Sequence, residues 1–153
     1  HRTMALAGNR ILAGSTASKL PWTRIDRTDA YARMATILLP HDYLNFVLTG
    51  QRFCELGDAS GTGWLDVRTR TWSQQLLRAT DPDRDLAACL PPIASPDALF
   101  DIAPAAAAAL GLPTAGKVGG GGGENMVGGG GAFGGAWPAE TLPPPLGERV
   151  KKL

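Results

Sequence analysis

The chain has 153 residues, 44% of them hydrophobic, and a formal charge of +1 from fifteen Lys and Arg against fourteen Asp and Glu. That length suits one domain with a buried core, and the balanced, unclustered charge excludes the basic face that a nucleic-acid or membrane-surface partner would need. No apolar run reaches the roughly 18 residues of a membrane helix, no secretion signal opens the chain, and two cysteines with two histidines exclude a disulfide framework and a histidine-rich metal site.

A soluble, cytoplasmic protein is expected, with Cys54 and Cys89 as reduced thiols. The chain opens on His1 rather than Met, which suggests a piece of a longer polypeptide. Most of its glycines lie from Gly111 onward, together with Pro143, Pro144 and Pro145, so an ordered region gives way to one of uncertain order.

Leu20, Trp22, Ile25, Tyr31 and Met34 have roughly helical spacing and predict a helix that breaks near Arg27 to Thr28, with Pro21 in its first turn. "TILLP" (Thr36 to Pro40) reads as a short buried strand stopped by its proline. "HDYLNFVLTG" is the clearest helix: Asp42 favours its start, Tyr43, Leu44, Val47 and Leu48 share a side, and Gly50 supplies the C-cap. Glu55 to Val67 is rich in turn residues and predicts loops around a short strand or hairpin. Thr71 and Gln74 have capping-box spacing ahead of a helix over 72–79, and 84–90 predicts another short helix before Pro91 and Pro92. "IAPAAAAALGLP" then predicts a helix from Pro104 with Gly111 as C-cap, followed by a strand over 117–121. Helices and strands alternating in this way point to an α/β fold.

Four stretches carry a further signal: "GSTASKLPW" (Gly14 to Trp22), "LLPHDYLNFVLTG" (Leu38 to Gly50), "GDASGTGWLDVRTRTWS" (Gly57 to Ser73) and "GGGGENM" (Gly120 to Met126). Together and in this order they resemble the FGGY family of carbohydrate kinases, most of all its xylulokinase branch. The resemblance implies part of a ribonuclease-H-like (actin-like ATPase) α/β domain, the N-terminal one of two that flank an active-site cleft. It covers the chain from residue 8 to residue 127. The expected division is therefore 1–127 as part of the kinase N-terminal domain and 128–153 as a poorly ordered glycine- and proline-rich tail. The family's Asp-Gly-Thr phosphate loop has no counterpart in the sequence, which also suggests a fragment.

The resemblance further implies ATP with Mg2+ as cofactors, a ketopentose or related sugar as substrate and neither nucleic acid nor membrane as partner; a homodimer is one expectation for assembly. The family's usual Gly-Gly-Gly-Asp-Asn places a catalytic base at the Asp and a sugar-holding residue at the Asn. Glu124 stands at the base position and Asn125 matches the Asn. A carboxylate in a glycine-rich turn at a strand end suits proton abstraction, because glycines let a substrate approach the backbone. The extra methylene of Glu124 moves the carboxylate on the order of 1 Å, and misplacement of that size can cost roughly 100-fold in rate. Weak or absent turnover is expected, with a catalytically inactive sugar-binding remnant or a structural domain of the same fold as the alternatives. Gly128 to Gly131 weaken any following helix by up to ~1 kcal/mol each relative to Ala.

Read without the resemblance, Glu124 is a solvated acid in a flexible spacer, and no Gly-Lys-Ser/Thr follows to make the glycines a nucleotide phosphate loop. Asp58, Ser60 and Thr62 are expected to make turn hydrogen bonds, and His41 with Asp42 to start a helix. Lys19 reads either as shaping the substrate side of a cleft or as a surface charge with Trp22 in the core. Trp64 and Trp72 are expected to pack.

Overall fold

The computed structural model describes residues 2–120, so Glu124, Asn125 and the 128–153 tail lie outside the described residues. In chain order the elements are α1 (Arg2–Ala7), α2 (Thr16–Asp26), α3 (Thr28–Arg33), α4 (Pro40–Thr49), β1 (Cys54–Glu55), α5 (Leu56–Gly61), β2 (Leu65–Asp66), β3 (Thr71–Trp72) and α6 (Gln74–Thr80). A 3-10 turn (Ala87–Cys89), β4 (Ile93–Ala94), β5 (Leu99–Asp101), α7 (Pro104–Leu110) and β6 (Lys117–Gly119) follow. Among the described residues, β1 pairs parallel with β4, Cys54 opposite Ile93; β2 pairs antiparallel with β3 and β5 antiparallel with β6.

Local chemistry explains most boundaries. The helix expected to break near Arg27 does so: Arg27, at φ −128° and ψ 50°, separates α2 from α3. Pro21 lies inside α2 rather than in its first turn, because Ser15 starts the helix earlier and Thr62 O accepts the Ala17 N–H. "TILLP" is extended but forms no ladder; Ile37 N–H reaches Cys89 O at 2.8 Å, and Pro40 opens α4 instead of ending a strand. Gly50 caps α4 at φ 73° and Gly111 caps α7 at φ 66°, both as the sequence predicts. Thr71 and Trp72 are drawn into the β2–β3 hairpin, so Ser73 caps α6 in place of Thr71, its Oγ accepting the Leu76 N–H. The expected loop after Glu55 folds as α5, and the helix expected over 84–90 contracts to its 3-10 turn.

The main core gathers Leu20, Tyr31, Trp64, Leu76, Leu77 and Leu86. Trp64 is fully buried and donates Nε1–H to Thr80 Oγ1 at 2.8 Å, while Trp72 packs against this core and donates to Pro91 O, so both tryptophans pack as expected. Trp22 and Ile25 face solvent instead, because the α2 face carrying Ala17 and Leu20 is the one that packs. Asp81 ties the helices together: its carboxylate accepts from the Tyr31 hydroxyl and from Arg24 Nη1 at 3.1 Å. Arg84 donates to the carbonyls of Tyr31 and Met34.

An inversion marks α4. Asp42, Asn45 and Thr49 face inward, whereas Tyr43, Leu44 and Val47 are 57%, 59% and 52% exposed. Asp42 Oδ2 accepts the Leu39 N–H at 3.0 Å, and its buried Oδ1 has no hydrogen-bond partner among the described residues. Burial pushes this carboxyl above the usual Asp range against the pull of the Leu39 N–H. Burial, then the neighbouring Asp42 charge, pushes the Cys54 thiol up.

Two stability measurements follow from these buried groups. The Tyr31 hydroxyl bond holds Asp81 below the usual carboxylate range, so its contribution is present above the unfolded pKa of about 4 and lost as pH falls through the lower folded value. Burial first, and the Asp81 bond next, push Tyr31 up to about 12; its contribution is full below the unfolded value and lost as pH rises through the folded one. Tyr31→Phe should cost roughly 1–3 kcal/mol in urea unfolding at neutral pH, and an unchanged midpoint and slope would contradict this role. Asp42 has the opposite sign from Asp81: its raised value favours folding below the unfolded pKa and the gain disappears as pH rises through the folded one. Asp42→Asn keeps an oxygen for Leu39, so its melting temperature should gain on the wild type as pH rises from the ordinary Asp range through the raised folded value; a pH-independent difference would refute a desolvated charge here.

Candidate active site

What the structure describes of the glycine-rich turn is its seat. β6 leads into Gly120, whose carbonyl accepts the Nδ2–H of buried Asn45 on α4 at 3.1 Å. A Cβ on Gly120 would stand 3.4 Å from Glu55 Cγ, so the Gly120 backbone lies against the Glu55 side chain. Glu55 ends β1 and caps α5, its Oε2 accepting the N–H groups of Gly57 at 2.6 Å and Asp58 at 3.1 Å. The ends of β1 and β6 therefore meet at the first turn of α5. Strand ends of this kind are where open α/β sheets bind ligands.

The same turn of α5 lines a pocket of about 500 Å³. Its walls are the 9–16 loop, the start of α4 and the α5 segment, with Lys19 and Arg10 at exposed positions around it. Gly63, at φ 84°, lets the loop close down, since a Cβ there would lie 3.1 Å from Ala17 Cβ and 3.2 Å from Ile11 Cγ1. Inside, His41 Nδ1 lies 2.5 Å from Asp58 Oδ2. His41 is the second residue of α4 and Asp58 the third of α5, so two short helix starts bring together side chains seventeen positions apart.

This pair is what the sequence reading missed. His41 and Asp42 were expected to start a helix, and Asp42 does so; His41 instead turns to Asp58. Nothing in the spacing of "LPHDY" and "GDASG" announces a contact between elements. Thr62 behaves as expected, its buried Oγ1 donating to Ala59 O and accepting the Trp64 N–H, and Ser60 Oγ donates to Gly57 O at 2.5 Å. Lys19 lines the pocket from an exposed position, and Trp22, 58% exposed, is not the core residue that was expected beside it. Cys54 and Cys89 are buried and free. Among the described residues no three His, Cys, Asp or Glu side chains gather as metal ligands, and no helix is long and apolar enough to cross a membrane.

Residues 1–131 match the N-terminal domain of the FGGY family of carbohydrate kinases. A xylulose kinase of Klebsiella pneumoniae is 37% identical over 115 residues, 75% of this chain and 23% of that protein. One from Haemophilus influenzae is 44% identical over 82 residues, 54% of this chain and 17% of that protein. Among solved structures, a xyloylose kinase from Brucella ovis superposes with a TM-score of 0.71 at 33% identity, over 79% of this chain and 25% of that one. A gluconate kinase from Lactobacillus acidophilus gives a TM-score of 0.71 at 26% identity, over 79% and 24%. The chain thus spans a quarter or less of the length of these relatives. The strand and helix order, the shared fold and the matched domain lead to one conclusion: the chain belongs to the FGGY family of carbohydrate kinases, as part of an actin-like α/β domain.

Proposed function

We propose that this chain forms the sugar side of a xylulokinase-like enzyme that transfers the ATP γ-phosphate to a hydroxyl of a ketopentose or related sugar. In this reading Glu124 takes the proton of the attacking hydroxyl and Asn125 holds the sugar. One observation carries the proposal: Gly120 is locked between Asn45 and Glu55, beside the α5 turn that lines the pocket. Glu124 lies four residues further along the sequence.

The chemistry divides accordingly. In-line phosphoryl transfer needs an aligned acceptor, a proton acceptor and cations over the phosphates. Mg-ATP, implied by the family, supplies the transferable phosphoryl group when bound. What this chain contributes is orientation: a glycine-lined approach for the sugar and a carboxylate in the following turn. Residues 1–127 as part of the kinase domain, 128–153 as a tail, a cytoplasmic place in xylose metabolism and a homodimer belong to the same reading.

The substitution of Glu for Asp at 124 favours one second reading, a sugar-binding remnant without turnover. Phosphorylation of D-xylulose by the polypeptide carrying this sequence, with and without Glu124→Asp, separates the two. The kinase reading expects slow transfer that rises by roughly 100-fold on restoring the shorter acid. Sugar binding with no transfer in either form would establish the remnant.

A further inference from the structure

A second, much smaller cavity shares Thr16 and Leu39 with the 500 Å³ pocket and is otherwise lined by side chains of the core and its surroundings. Its volume of about 10 Å³ stands at the lower edge of the roughly 10–15 Å³ that a water molecule needs, so it suits one small occupant and no larger ligand. Asp42 lines it and is only 1% exposed. Its Oδ2 accepts the Leu39 N–H, but its Oδ1, equally buried, has no hydrogen-bond partner among the described residues. A buried acceptor in that position forfeits the hydration it had in the unfolded chain.

The other polar groups of the lining decide what the occupant is. Both indoles are committed elsewhere, Trp64 Nε1–H to Thr80 Oγ1 and Trp72 Nε1–H to Pro91 O. Thr62 Oγ1 donates to Ala59 O and accepts the Trp64 N–H, which leaves it one lone pair. The Cys54 thiol reaches Glu55 O only at 3.5 Å, and the Thr16 hydroxyl, on the first residue of α2, is a further donor. The cavity therefore offers two acceptors, Asp42 Oδ1 and Thr62 Oγ1, and two donors, Thr16 and Cys54. A water molecule, with two protons and two lone pairs, is their complement. A hard cation takes about six or more oxygen ligands, and the side chains here supply far fewer; an anion would meet the Asp42 carboxylate.

We propose that this cavity is a built-in solvent site holding one water molecule, which donates to Asp42 Oδ1 and Thr62 Oγ1 and accepts from the Thr16 hydroxyl and the Cys54 thiol. The water joins the start of α4 to α2, to β1 and to the C-cap of α5, so it braces the point from which the polar row of α4 begins. One immobilised water replaces a full hydration shell, so the carboxylate is held without its burial ceasing to cost stability. The site is independent of phosphoryl transfer and of the role of Glu124.

A crystal structure of the full 153-residue chain should show an ordered water oxygen about 2.5–3.0 Å from Asp42 Oδ1. In solution, the ¹⁷O relaxation dispersion of water should lose the amplitude of about one long-lived water in Asp42→Leu, which keeps the size of the side chain and removes its acceptors. Thr16→Val, at a half-buried position, should keep the fold and shorten the residence time of that water by up to about 10-fold, the value of one lost hydrogen bond. Exchange of sodium and potassium for choline should change none of this. Three results would each overturn the proposal: no oxygen at that place in the wild-type crystal, a direct bond there between Asp42 Oδ1 and Thr62 Oγ1, which would mark a protonated carboxyl, or a dispersion signal lost in choline, which would mark a metal cation. An amplitude equal in wild type and Asp42→Leu would do the same. The wild-type crystal decides even where a variant fails to fold.

Discussion

The polar row that α4 turns inward holds the site together. Asp42 accepts the Leu39 N–H and so fixes where the helix begins; Asn45, one turn on, donates to the Gly120 carbonyl; Thr49, another turn on, donates back to Asn45 O. His41 is aimed by the first of these contacts and the departure of the glycine turn by the second. One helix therefore positions both the pocket pair and the seat of the expected base. An apolar inner face could pack as tightly, but it could not hold a carbonyl at a chosen point.

That arrangement costs stability. Buried polar groups lower stability unless their bonds are complete, and Asp42 Oδ1 is left without a partner beside the buried Cys54 thiol. The outward face carries Tyr43, Leu44 and Val47, side chains that burial would stabilise. The two departures have one cause. Rotating α4 to bury its apolar side would withdraw Asn45 from Gly120 and turn Asp42 away from Leu39.

This also explains which features the sequence discloses. Gly50 and Gly111 act within one turn of their helices, so a C-cap can be read from the residue itself, as can the break at Arg27. The four stretches shared with the carbohydrate kinases identify the family because order and wording survive without knowledge of the packing. Periodicity fails where a partner overrides it: it groups Tyr43, Leu44 and Val47 correctly but gives no direction, and the direction is set by Gly120, seventy-five positions from Asn45. "TILLP" has strand composition but no strand beside it, and composition cannot supply a neighbour. His41 and Asp58 are equally silent, since each sits at a plausible helix start and only the packing of α4 against α5 joins them.

Gly120 is placed by its neighbours. It lies beside Glu55, whose Cγ a Cβ at 120 would meet at 3.4 Å, an ordinary contact, and Glu55 is the residue whose carboxylate gathers the Gly57 and Asp58 N–H groups. A side chain at 120 that reached beyond Cβ would meet Glu55, the residue that holds the first turn of α5. The start of the glycine run is thus coupled through one carboxylate to the pocket pair, by contact rather than by sequence proximity. Where a displacement on the order of 1 Å is enough to slow chemistry, a shift at Gly120 would be felt at Asp58 through Glu55 rather than only along the chain.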